Sequence, residues 1–216
     1  MTSLSPVRAA FLGCAALARD ALARPEVAAG WDGPSALADF SVRGLAGHLS
    51  RGVAIVGGFL DGEPPRPGDP IVDSAGYYLA VLDNDDLSSE LHRGIRARGD
   101  EAAADGAVAL VRALGEVIVV LTDRLRREPP DRLIASRGGA AMLLDEYLVT
   151  RLVELVVHLD DLAVSVGAPA PVLPDVAITQ AALCCWELAR RRHGDRAVLL
   201  ALTRAERDSS RALHVF

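Results

Sequence analysis

Apolar residues return every third or fourth position along most of the chain, the period of helices with one buried face. The clearest case is TRLVELVVHLDDLAVSVG (150–167), where Leu152, Leu155, Val156, Leu159, Leu162, Ala163 and Val166 make one continuous stripe. This central helix is expected to begin as early as residue 140, after Gly138-Gly139. Another helix is expected after Ser41, an N-cap residue, with Val42, Leu45, Leu49, Val53 and Val56 on its buried face. Residues 5–29 predict a first helix with Pro6 in its opening turn, where a missing N–H costs little, and Pro25 bending or stopping it.

Breaks in the pattern divide the rest. DGEPPRPGD (61–69) is the plainest loop, and residues 30–39 form another. Helices are expected over 74–82 and, capped by an acidic turn at 83–86, over 87–98. Gly99-Asp100 predicts a break before a long helix over 101–127, which Pro129-Pro130 stops. Residues 131–137 are too few for a packed helix and predict an extended segment. After the Pro-rich connection APAPVLP (168–174) come a helix over 175–192, a break at His193-Gly194 and a short helix over 196–203. The apolar tail, 212–216, reads as a strand or a docked terminus. Together these predict an all-α, up-down bundle with short accessory helices. Residues 1–170 would be the bundle and 171–216 a C-terminal helical extension and tail packed on it.

Composition narrows the function. The 216 residues are 50% hydrophobic but only 4% aromatic, so Ala, Leu and Val must fill a mainly helical core. A net charge of −6 argues against a nucleic-acid surface. Cys14, Cys184 and Cys185 fit neither a disulfide framework nor a zinc-binding CxxC spacing, and read as reduced thiols of a cytoplasmic protein. The longest apolar window, 107–122, is interrupted by Arg112 and Glu116, so no membrane span is expected.

Within the central helix, Glu154 and His158 stand four residues apart and project from one face. A carboxylate and an imidazole so placed can hold a divalent ion if a third ligand arrives from a neighbouring helix, and His48 is the candidate. A site of two imidazoles and one carboxylate leaves positions open for water or substrate. Asp161, a turn further on, is either an acceptor that orients a ligand imidazole or a surface acid. Arg151 can bind a substrate carboxylate through its forked donors, or pair with Glu154 or Asp145. His92, His193 and His214 show no partner pattern, and Cys184-Cys185 read as small buried hydrophobes.

Three segments carry a resemblance. SVRGLAGHLS (41–50) is similar to the second-helix motif of the mycothiol-dependent maleylpyruvate isomerase-like proteins, within the DinB/YfiT-like superfamily. TRLVELVVHLDDLAVSVG resembles their "tRxxElxxHxxDL" motif, and RALHVF (211–216) resembles their short apolar ending. Two departures lie before and within the second helix. ALADF (36–40) stands where the family often has a Cys-Pro-Gly-Trp-like turn, and Gly44 replaces a usual acid.

The resemblance implies a DinB-like four-helix bundle with His48, Glu154 and His158 as ligands of a divalent metal, zinc by expectation. It further implies a low-molecular-weight thiol, mycothiol or another, as cosubstrate. In the family's isomerase the thiol adds to a cis double bond, the resulting single bond rotates, and elimination of the thiol leaves the trans isomer. Isomerase or S-transferase chemistry on a small electrophile is therefore expected, with Arg151 and Asp161 as candidate catalytic residues. A non-catalytic metal- or ligand-binding bundle and a metal-dependent hydrolase use the same residues. The expected partners are the substrate and the thiol, with no nucleic acid or membrane and a homodimer left open.

Overall fold

Ser5 opens the first helix as an N-cap, its hydroxyl accepting the Arg8 N–H, and Pro6 fills the first helical position. Helix α1 (Pro6–Leu22) ends before Pro25, which starts the short α2 (Pro25–Ala29), so the proline divides the first helical window. In this computed structural model the described residues are 4–81, 90–137, 139–204, 206 and 210–215, without the side chains of 91, 92, 210 and 211. The expected acidic turn at 83–86, the side chain of His92 and Phe216 lie outside them.

Four long helices make the bundle: α1, α3 (Val42–Asp61), α6 (Ala107–Arg127) and α7 (Leu144–Val166). Helices α6 and α7 each pack against both α1 and α3. Phe11, Leu45, Leu49, Leu114, Leu121, Leu148 and Leu152 are fully or almost fully buried between them. The all-α, DinB-like bundle expected from the sequence is the observed architecture.

End-to-end contacts give the helix directions. Arg8 in α1 reaches the Leu125 and Glu128 carbonyls at the end of α6, while Arg19 lies beside Gly115, so α1 and α6 are antiparallel. Arg8 also meets Asp145 at the start of α7, and Gly30 approaches Val166 at its end, so α1 and α7 are parallel. Asp61 pairs with Arg124 at the C-terminal ends of α3 and α6, which makes these two parallel. The bundle therefore runs up, down, down, up, and the α3–α6 connection must cross back along its length. That connection carries α4 (Ser74–Val81) and α5 (Glu90–Ala102).

The expected break at Gly99-Asp100 does not occur, because α5 runs through it. A Cβ on Gly47 would come within 2.0 Å of the Gly99 carbonyl oxygen, and one on Gly99 within 2.6 Å of the Gly44 oxygen. The glycines serve a close crossing of α3 and α5. The chain breaks instead at Gly106, whose φ of 88° favours glycine, so α6 begins at Ala107 rather than at 101. The extended segment is β1 (Leu133–Ala135), paired antiparallel with β2 (Ala141–Leu143), and this hairpin delays α7 to Leu144. Gly167, with φ 65°, ends α7 in the left-handed conformation, and its N–H returns to Ala163 and Val164.

Beyond it, α8 (Asp175–His193) packs on α7, α1 and α4, followed by α9 (Asp195–Thr203) and α10 (Ser210–Leu213). Val215 is buried, so the tail docks without forming a strand. Among the described residues no helix is long and apolar enough to cross a membrane.

Candidate metal centre

Helix α7 presents Glu154 and His158 one turn apart, and antiparallel α3 brings His48 opposite them. His48 Nε2 lies 3.1 Å from Glu154 Oε2, and His158 Nε2 lies 3.5 Å from the same oxygen. One donor atom from each residue falls within a group 4.8 Å across. The donors of a tetrahedral zinc site with bonds near 2.1 Å stand about 3.4 Å apart, so both distances to the carboxylate suit a shared cation. No other described group of three His, Cys, Asp or Glu residues has this proximity. Two imidazole nitrogens around one carboxylate oxygen form a donor set that zinc and similar divalent ions accept.

Asp161 lies against the outer side of the His158 ring. Its Oδ2 stands 2.8 Å from His158 Nδ1, so the far ring nitrogen is held while Nε2 faces Glu154. Asp161 acts on the ring and does not line the adjoining cavity. Burial would lower the His158 pKa, but hydrogen bonds to Asp161 and Glu154 raise it to about 9. Burial would raise that of Glu154, yet the two histidines and Arg151 hold it well below the usual carboxylate range. The metal-free cluster is thus an imidazolium–carboxylate network, and a cation binding there must displace the His158 proton.

The other carboxylate oxygen, Oε1, lies 3.4 Å from the Tyr78 hydroxyl, which also donates to the Thr150 carbonyl at 2.9 Å. A cavity of about 120 Å³ adjoins this cluster, reaching His48 and Glu154 but not His158. All three tyrosines of the chain line it. Tyr77 stacks edge-on to Tyr78 and Tyr147, and Phe59 closes on Tyr147 at 4.6 Å. These aromatic residues have no spacing that marks them beforehand. Their one signal was scarcity, since so few aromatics gathered in one place make a wall.

Arg151 also lines the cavity, its guanidinium 5.2 Å from the Tyr147 ring centre and its Nε donating to Thr150 Oγ1. It forms no ion pair with Glu154 or Asp145; Asp145 is taken by Arg8 at 2.7 Å. Arg51, Arg98 and Arg137 line the same cavity and were not singled out by the sequence. The cysteines stand apart. Burial pushes the Cys14 and Cys184 thiols up to about 11, against any role as a nucleophile near neutral pH.

Residues 12–163 match the family model described as the mycothiol maleylpyruvate isomerase N-terminal domain. The chain belongs to this family. The matched span covers His48, Glu154, His158 and Asp161 and ends near the close of α7. No curated protein and no solved structure matches the chain. Membership of the mycothiol maleylpyruvate isomerase family agrees with the resemblance read from the 41–50 and 150–167 motifs, and gives the cluster a setting in thiol-linked isomerase-like chemistry.

Proposed function

We propose that the protein is a metal-dependent enzyme that uses a low-molecular-weight thiol, mycothiol or a relative, on a small electrophilic substrate, as an isomerase or S-transferase. The observation that carries this reading is the meeting of His48, Glu154 and His158 donors beside a small cavity that reaches His48 and Glu154. A divalent cation, zinc by preference, would act there as a Lewis acid that lowers the pKa of a thiol placed beside it.

The chain's own groups do the remaining work. Glu154 supplies the negative charge that draws the cation into a partly buried site. Once a cation displaces the Nε2 proton, Asp161 would hold His158 in the tautomer whose Nε2 lone pair points inward, so it is a positioning residue. Tyr77, Tyr78 and Tyr147 restrict water around the reacting groups, and neighbouring Arg151 offers its terminal N–H groups to an anionic part of the substrate. Work with a free thiol fits a reducing, cytoplasmic setting and unpaired cysteines.

Thermal-shift titration with mycothiol and simpler thiols, on zinc-loaded and metal-stripped protein, tests the reading. A thiol that stabilises only the loaded form is the expected result. Indifference of the loaded form to every thiol would leave a hydrolase or a non-catalytic metal-binding bundle instead.

A further inference from the structure

The two imidazoles of the cluster are held by different means. Asp161 takes Nδ1 of His158, whereas Nδ1 of His48 has no hydrogen-bond partner among the described residues. A ring bonded at one nitrogen alone can turn about its last torsion and carry Nε2 away, unless packing stops it. Two rings meet His48. The His158 ring lies 4.9 Å away at 76°, and Phe40, next to the Ser41 N-cap of α3, lies 5.9 Å away at 60°. The Phe40 ring also passes Gly44, one turn before His48, where an added Cβ would touch its Cδ1 at 3.5 Å.

Phe40 closes a loop that is fastened at several points. The Ser35 N–H donates to the Phe40 carbonyl and the Phe40 N–H to the Leu37 carbonyl. Between them Asp39, with φ 63°, takes the left-handed conformation that Asp tolerates better than most residues. The Ala36 N–H donates to Ser165 Oγ on α7 at 2.8 Å, and that hydroxyl donates to the Asp161 carbonyl at 2.6 Å. One loop therefore reaches both halves of the cluster. Its Phe40 meets His48, and its Ala36 is tied through Ser165 to the residue beside His158.

We propose that Phe40 is a positioning residue of the metal centre, which holds the His48 imidazole edge-on so that Nε2 stays turned toward Glu154, and that Ser165 fastens its loop to the helix of the other two ligands. An edge-to-face contact has a preferred geometry, so it orients a ring without occupying either nitrogen. Phe40 depends on the proposed function only for the metal; its hold on the ring exists in metal-free protein.

The test pairs zinc affinity, by competition with a chelator, with heteronuclear NMR of the His48 ring nitrogens in metal-free protein. The variants are Phe40→Ala, Phe40→Leu, Phe40→Tyr, Ser165→Ala and Leu37→Ala, the last a control for loss of apolar packing in the same loop. Phe40→Ala and Phe40→Leu should each weaken zinc at least tenfold and shift the His48 Nε2 resonance. Phe40→Leu keeps most of the apolar volume, so it carries the comparison if Phe40→Ala does not fold. Phe40→Tyr retains the ring and should stay within about threefold of the parent. Ser165→Ala should weaken zinc about threefold or more. Leu37→Ala should lower the melting temperature yet leave the resonance in place and zinc affinity within twofold. Zinc affinity or the His48 resonance unchanged in both ring-deleting variants overturns the proposal, as does an equal effect of Leu37→Ala. No effect of Ser165→Ala overturns its second half. If the parent takes up no zinc, the metal reading fails and the resonance alone decides on Phe40.

Discussion

Asp161 Oδ2 sits 2.8 Å from His158 Nδ1, one turn further along the same helix, and this contact decides which face of the imidazole looks into the cluster. Asp161→Asn keeps the shape but loses the charge that fixes the ring and raises its basicity. Zinc affinity, measured by competition with a chromophoric chelator, is expected to fall about 10–100-fold, with the melting temperature of the metal-free protein little changed. An unchanged affinity would make Asp161 a surface acid after all.

Protons and metal compete for His158. Its folded pKa of about 9 lies above the unfolded value near 6.5, so its contribution to the stability of metal-free protein is full below about pH 6.5 and lost as pH rises through about 9. Zinc affinity runs the other way, rising about tenfold per pH unit from 7 towards 9 as the proton is displaced. Calorimetry in buffers of different ionisation enthalpy should register proton release on zinc binding near pH 7. Binding without proton release would contradict the network.

Gly47 admits α5 against the helix that carries His48. Because a Cβ there would meet the Gly99 carbonyl oxygen at 2.0 Å, Gly47→Ala must push the two helices apart. A loss of about 1–3 kcal/mol in urea unfolding is expected, together with weaker zinc uptake, since His48 follows directly. Gly52 has nothing within 4 Å of its added Cβ, so Gly52→Ala is the control that keeps stability.

Arg8 ties three chain segments at the far end of the bundle. It is 4% exposed, pairs with Asp145 and donates to the carbonyls of Leu125, Glu128 and Pro129. Arg8→Ala leaves these acceptors without their partner in a buried setting, and should cost about 3–5 kcal/mol in equilibrium unfolding. A cost under 1 kcal/mol would mean that water replaces the guanidinium freely.

Periodicity made the helices legible because their stripes are long, and the 150–167 stripe placed Glu154 and His158 on one face before any coordinates. It could not show that His48 crosses to meet them, which depends on the antiparallel packing of α3 and α7. Glycine misled at 99, where it serves a close helix crossing, and the true break at Gly106 went unmarked. Arg51, Arg98 and Arg137 stayed hidden for a related reason. They are far apart in sequence, and an arginine on a helix surface carries no mark of the cavity it will share. Asp145 looked available to Arg151 only because the reach of Arg8 across the bundle is invisible in a linear chain.

Metal content bears most directly on the central claim. Protein purified without added ions and then equilibrated with zinc should hold close to one ion per chain by plasma mass spectrometry, and His48→Ala and His158→Ala should each hold almost none while remaining folded by circular dichroism. Zinc retained by both variants at the level of the parent would contradict a shared cation at His48, Glu154 and His158.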